Sequence, residues 1–330
     1  MPELSDSSGC GASVNTSALL ARVSSHSERF FVPVNDSALR DDPALPAFYC
    51  VHSITGTAGT DFVELARRLD PFIRFYGIQA PPARMKDDGF AGSIESIAEV
   101  YTAALLRQQP TGPFLLGGHC AGGIIALEMA QKLRGAGREI ALLVVIDAIP
   151  ENSSAALRRW NPLYFLEMLR NVPGWIEHER RREDWSPRPL PSRTAHNLRL
   201  LGRFLVGVRR GKKLDGGNVP EEFMDLSRFP AEQRAFIHRL WGALFTYMPR
   251  PYAGKVVVYE AAVKPLLEYP QTRRRWCALV PDVAVVGING NHNTMLQAPS
   301  IGELVSDLKA RLAPGAWEPP GSFARQTMGR

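Results

Sequence analysis

The stretch Pro113-Phe114-Leu115-Leu116-Gly117-Gly118-His119-Cys120-Ala121-Gly122-Gly123-Ile124-Ile125 constrains this chain more than any other. An apolar, strand-forming run ends in Gly118-His119-Cys120-Ala121-Gly122, and a helical pattern, GIIALEMAQKLRGAG (123–137), follows at once. The five residues are a G-x-S-x-G nucleophile elbow with Cys120 in the Ser position, in the strand–turn–helix setting the motif requires. A nucleophile on so sharp a turn projects from the carboxyl end of its strand. Gly118 and Gly122 leave room for strand and helix to pass close together. A helix N-terminus beneath the sulfur is also favourable for a thiolate.

Around the elbow, short apolar runs alternate with helical patterns. FFVPV (30–34), AFYCVH (47–52), IRFYGIQ (73–79), FLLGGH (114–119), ALLVVID (141–147), KVVVYE (255–260) and VAVVGI (283–288) read as strands. FVELARRL (62–69), SIESIAEVYTAALLRQQ (93–109), residues 123–137 and SIGELVSDLKARL (300–312) carry apolar residues at helical spacing, and Gly135 and Gly137 mark a helix end. Such alternation predicts an α/β architecture: a mostly parallel central sheet flanked by helices. Residues 29–150 and 249–313 form the expected core. From 151 to 248 no strand pattern occurs, only Arg-rich helical stretches including AEQRAFIHRLWGALFTYM, so a helical lid insertion is expected there. Residues 1–28 read as a flexible leader and 314–330 as a loose tail.

The composition excludes several classes. Hydrophobic residues are 45% and charged residues 22% of the 330, as in a globular enzyme, and no uninterrupted apolar run reaches membrane-spanning length. The start of the chain has no secretory pattern. Cys10, Cys50, Cys120 and Cys277 show no CxxC spacing, so they read as free thiols in a reducing, cytoplasmic setting, with no metal and no cofactor. Cys50 and Cys277, each in or beside an apolar context, read as buried packing residues. The net charge of +6 favours acidic partners, yet no nucleic-acid motif accompanies it.

A nucleophilic thiol needs a base. Of His26, His52, His119, His178, His196, His238 and His292, only His292 follows a late strand and precedes a C-terminal helix, matching the order nucleophile…acid…base. His119 occupies the variable position of the elbow and reads as packing. Asp147, at the end of ALLVVID, is the expected acid, with Glu260, ending KVVVYE, as its rival; both lie where a parallel sheet collects its carboxyl ends. The oxyanion donors expected are the backbone N–H groups of Ala121 and of Ile54, in the loop His52-Ser53-Ile54-Thr55-Gly56.

These residues together resemble the thioesterase family of nonribosomal peptide and polyketide synthases, within the α/β-hydrolase superfamily. The resemblance runs from about Phe31 to Leu312. It rests on VHSITG, GGHCAGGIIALEMA, VVIDAIP, YMPRPYAGKVVVY and GNHNTMLQAP. It implies an α/β-hydrolase fold and an enzyme that takes an acyl or peptidyl group from the phosphopantetheine arm of a carrier protein. The group then passes to water, a small-molecule acceptor or a second carrier. Three positions depart from the pattern: Cys120 where Ser is usual, Ser53 where Pro is common, and Asn291 where Asp or Gly is usual. The first changes the energetics, because a thioester on sulfur stays activated where an oxoester would not. Basic residues of the lid (Arg158, Arg159, Arg180, Arg181, Arg182, Arg209, Arg210, Lys212, Lys213) could form an acidic-partner surface or a solvated face. The alternative activity is a small ester or lactone hydrolase of dienelactone-hydrolase type, which the long lid disfavours.

Overall fold

All seven expected strands form, and hydrogen bonding joins them into one sheet. The computed structural model describes residues 30–150, 173, 226–264 and 272–313. β1 (Phe31–Pro33), β2 (Ala47–Val51), β3 (Arg74–Ile78), β4 (Phe114–His119), β5 (Ile140–Ile146), β6 (Val256–Val263) and β7 (Val283–Asn291) lie in the order β1-β3-β2-β4-β5-β6-β7. Only β1 runs antiparallel to its neighbour, β3. Every other pair is parallel. The loops after β2, β4, β5, β6 and β7 therefore all emerge on one rim.

Side-chain alternation along the strands feeds two apolar layers. Tyr49, Val51, Leu116, Leu143, Val145, Val256 and Val258 face one layer, whereas Phe48, Cys50, Leu115, Val144, Val257 and Tyr259 face the other. Residues buried on both faces explain why these strands read as continuous apolar runs. The first layer is closed by α4 (Ile94–Gln108), α5 (Ala121–Gly135) and α6 (Ala231–Thr246). The second is closed by α2 (Val63–Leu69) and α8 (Ile301–Leu312). In α5, Ile124, Ile125, Leu127, Met129 and Leu133 are at most 4% exposed, each contributing about 1.5–3 kcal/mol of apolar burial.

Three helices escaped the sequence reading: α1 (Asp36–Arg40), α3 (Pro82–Met85) and α7 (Thr272–Leu279). The first two are too short to show a helical period. α1 is fixed instead by Asn35, whose side chain accepts from Ala38 N–H and donates to Ile73 O. α7 corrects the expectation for Cys277, which is exposed. Its neighbour Trp276 takes the inward position, fully buried, and donates to Ala148 O at 2.9 Å. Successive helical residues are about 100° apart, so both could not face inward. Cys50 is buried, as expected.

Of the insertion, residues 173 and 226–248 are described. α6 begins at Ala231, buries Phe236, Ile237, Leu240 and Ala243 in the first layer, and reaches the β2 loop through Gln233, which donates to Thr55 O at 2.8 Å. The other helical stretches expected between 151 and 225, the basic residues named above, the leader 1–28 and the tail 314–330 lie outside the described residues.

The elbow depends on two absent side chains. A Cβ on Gly118 would lie 2.2 Å from Gly122 C and O, and one on Gly122 would lie 2.2 Å from His52 O. Gly122→Ala is therefore expected to destabilise the fold by about 1–3 kcal/mol or more, although alanine is the better helix former. Gly242, also helical, has no atom among the described residues within 4 Å of such a Cβ. Gly242→Ala should be neutral or stabilise by up to about 1 kcal/mol. Urea unfolding of the two variants beside wild type checks the contrast.

Candidate active site

Five strand ends deliver the candidate residues to one place. β4 ends at His119, and the chain turns at Cys120 with φ 57 and ψ −126 before α5 begins. A non-glycine residue held there costs on the order of 1–3 kcal/mol, which the packed glycines on both sides sustain. Cys120 N–H donates to Ile146 O at 2.9 Å, tying the elbow to β5. The thiol is partly exposed and lies close enough to His292 to act on its charge.

His292 directly follows β7, which runs three residues beyond the expected strand and ends at Asn291. Its turn is held by Asn291, whose side-chain oxygen accepts from the N–H groups of Asn293 and Thr294, each at 2.9 Å. Asn291, one of the three departures, thus does the work of an Asx turn. His292 Nδ1 lies 2.8 Å from Asp147 Oδ2. Asp147 itself sits just past β5 with φ 45 and a side chain only 1% exposed.

The rival acid falls elsewhere. β6 also extends beyond the expected strand, pairing with β7 as far as Val263↔Asn291, so Glu260 lies within the strand and not at its end. Its Oε1 is 3.3 Å from Lys264 Nζ. Lys264, buried at the true end of β6, donates to Asp147 Oδ1 at 2.8 Å, and Ala261 N–H donates to the same oxygen at 2.9 Å. One carboxylate oxygen is thus satisfied twice, and the other is left to the imidazole.

The charge states follow from these contacts. Burial alone would raise the Asp147 carboxyl, but the bond and charge of His292, with Lys264 behind them, hold it far below the usual carboxylate range. Desolvation alone would lower His292; its side chain keeps 29% exposure, and Cys120 and Asp147 outweigh that cost and hold the imidazole well above its ordinary value. His119 is the reverse case: burial, then the charge of His292, push it down to about 3. Neutral His119 donates from Nε2 to His292 O at 3.2 Å and stacks on the His292 ring at 4.6 Å. Packing was the expected role for His119, and its packing partner is the candidate base.

The loop after β2 is braced from below. Burial pushes His52 down to about 4, so its neutral ring donates from Nδ1 to Ser53 O at 2.5 Å and accepts from Tyr101 OH at Nε2, 2.7 Å away. Ser53 N–H donates to Asp61 Oδ2 and Gly56 N–H to Ser53 O. Among the described residues no internal hydrogen bond uses the N–H of Ile54 or of Ala121. The backbone leading into the β2 loop is close to the start of α5, since the carbonyls of Val51 and His52 abut Gly122. No group of His, Cys, Asp and Glu among the described residues could hold a metal ion, and no described helix is long and apolar enough to cross a membrane.

Lys264, Tyr101 and the His119 stack were missed by the sequence reading. A lysine inside the apolar stretch AAVKPLL was the one available signal, since a charge flanked by apolar residues beside a strand end is seldom idle.

Seven strands in this order, with a nucleophile-type turn after the central one, define an α/β-hydrolase fold. Residues 46–202 match the model of the Thioesterase domain family, a span that includes Cys120 and Asp147 and stops short of Lys264 and His292. Over 108 residues the chain is 36% identical to enterobactin synthase component F of Escherichia coli K12, covering 32% of this chain and 8% of that protein. It is 30% identical over 120 residues to the non-reducing polyketide synthase Preu8 of Preussia isomera, covering 36% and 5%. The chain thus spans less than a tenth of the length of the curated relatives it matches. Among solved structures, the fold is shared with the NocB thioesterase domain in covalent complex with a fluorophosphonate nocardicin G analogue (TM-score 0.51, 20% identity, 81% of this chain and 95% of that one). It is also shared with the RedJ thioesterase of Streptomyces coelicolor (TM-score 0.51, 19% identity, 82% and 92%).

Asp147→Asn should return the His292 imidazole toward or below its ordinary pKa, read from the ring-proton shifts in NMR titration. The sign for stability follows. A raised His292 contributes fully below 6.5 and loses its contribution as pH rises through the folded value; a depressed Asp147 contributes fully above 3.8 and loses it as pH falls through the folded value. The variant's deficit in denaturant unfolding is therefore expected to be largest between those two pH values and to shrink on raising the pH further.

Proposed function

We propose that this chain is an acyl-transfer enzyme of thioesterase type, which accepts an acyl, aminoacyl or peptidyl group from a phosphopantetheinyl carrier protein onto Cys120. One observation carries the reading: the Cys120 thiol lies close enough to His292 to act on its charge, and His292 Nδ1 is 2.8 Å from the buried carboxylate of Asp147. The match of residues 46–202 to the Thioesterase domain family, together with the similarity to enterobactin synthase component F and to a polyketide synthase, supports the substrate class.

In the proposed reaction His292 takes the thiol proton and Asp147 stabilises the resulting imidazolium. The Cys120 thiolate attacks the carrier thioester, and the N–H groups of Ala121 and Ile54 receive the oxyanion. The peptide plane supports this assignment. His52 and Gly56 draw Ser53 O one way, so the N–H of Ile54, on the opposite edge of the same planar unit, points the other way. The intermediate collapses by expelling the pantetheine thiolate, which recovers its proton from His292. An acceptor then loses a proton to His292, attacks the enzyme thioester and takes the acyl group, regenerating the thiol.

Cysteine makes the loading step an exchange of one thioester for another, close to isoenergetic and reversible. The acyl group stays activated toward amines and thiols. That chemistry favours transfer to an amine or a second carrier over hydrolysis.

Incubation with an acyl-phosphopantetheinyl carrier protein should add the acyl mass to the intact chain, located on Cys120. Cys120→Ala should abolish the adduct. His292→Ala should slow loading by about 10²–10⁴-fold, the usual contribution of a positioned general base. The adduct should decay faster with an amine or a second holo-carrier than with water alone. Loading confined to lactones or simple esters would refute the carrier reading.

A further inference from the structure

The rim of the sheet holds a cation that the reaction above does not use. Lys264 closes β6 with a side chain 7% exposed, and its Nζ stands 2.8 Å from Asp147 Oδ1 and 3.3 Å from Glu260 Oε1. Removing an ammonium group from water is costly, so its presence here needs a reason. We propose that Lys264 is a positioning residue of this site: set between Asp147 and Glu260, it keeps Asp147 ionised with Oδ2 turned to His292. The inference rests on the proposed nucleophilic role of Cys120 and extends it.

Two carboxylates approach this corner, one 1% and one 20% exposed. Without Lys264, His292 alone would have to hold Asp147 ionised against burial and the charge of Glu260. The more deeply buried acid, Asp147, bears the larger desolvation cost and is the one driven toward taking a proton. A protonated Asp147 cannot balance an imidazolium, so the Cys120–His292 pair would lose its counter-charge. Lys264 removes that competition by engaging both acids. It also occupies Oδ1 together with Ala261 N–H, which fixes the carboxylate plane and leaves Oδ2 for Nδ1.

The other titratable groups packed around this corner, among the described residues, are His292 after β7 and His119 and Cys120 at the elbow. His119 stays neutral and contributes no charge. A lysine that served only to staple β5 to β6 would make the same contacts, so the decisive readout is the pH dependence of the thiol.

The experiment uses the full chain and needs no acyl substrate. Alkylation of Cys120 by iodoacetamide is followed by peptide mass from about pH 5 to about pH 9, with exposed Cys277 as internal reference. Lys264→Met should slow alkylation about tenfold near pH 6 and by less than about threefold near pH 8.5, as expected when a carboxylate must lose a proton first. Adding Glu260→Gln removes the competing charge and should restore most of the lost rate near pH 6. Lys264→Arg, which keeps the cation, should stay close to wild type.

A loss that is uniform across pH, or a double variant no faster than Lys264→Met, would overturn the inference while leaving the role of Cys120 standing. Wild-type Cys120 no more reactive than Cys277 would overturn both. Thermal melts show whether Lys264→Met folds; if it does not, the double variant and Lys264→Arg decide, and a double variant with a wild-type pH profile sustains the inference.

Discussion

Backbone contact at the elbow underlies the whole arrangement. At Gly122 the first turn of α5 presses against the carbonyls of Val51 and His52, and at Gly118 strand and helix meet with no space for a methyl group. That approach lets Cys120 hold a left-handed backbone at the top of the sheet, and it brings the β2 loop beside the helix N-terminus. The candidate nucleophile and the backbone proposed to receive the oxyanion thereby lie at the same rim. The corner is rigid because its strain is opposed by a sheet buried on both faces.

Charge is distributed over this rim in a graded way. Deep in the corner, Lys264 and Ala261 N–H satisfy one oxygen of Asp147. Further out, His292 uses the second oxygen, and the partly exposed thiol lies beside it. Each group is oriented by the one beneath it, so in the proposed reaction the thiol end would need little rearrangement. His119, neutral and stacked on His292, restricts the ring without adding charge. His52 does the equivalent for the β2 loop, with Tyr101 fixing its tautomer.

The helix α6 links this corner to the insertion. Phe236 packs edge-on against His52, and Gln233 holds Thr55 O, so the helix that closes the insertion also touches the loop proposed to bind the oxyanion.

The seven strands, the four long helices of the core and the helix at 231–246 were legible in the sequence, because each repeats its apolar pattern over enough residues to be unambiguous. Cys120, Asp147 and His292 were legible for a related reason: a parallel sheet must bring its carboxyl strand ends to one rim, so a polar residue ending an apolar strand is already located. What tertiary structure alone decided was the ending of strands and the partnering of charges. β6 and β7 run three residues past their apolar patterns because they pair with each other there, and that extension moves Glu260 inside the strand and delivers Lys264 to the corner. Trp276 and Cys277 were separated in the same way, by the facing of a helix whose neighbours the local pattern does not contain. Hydrogen bonds and ion pairs between distant strands depend on register, and register is a property of the assembled sheet.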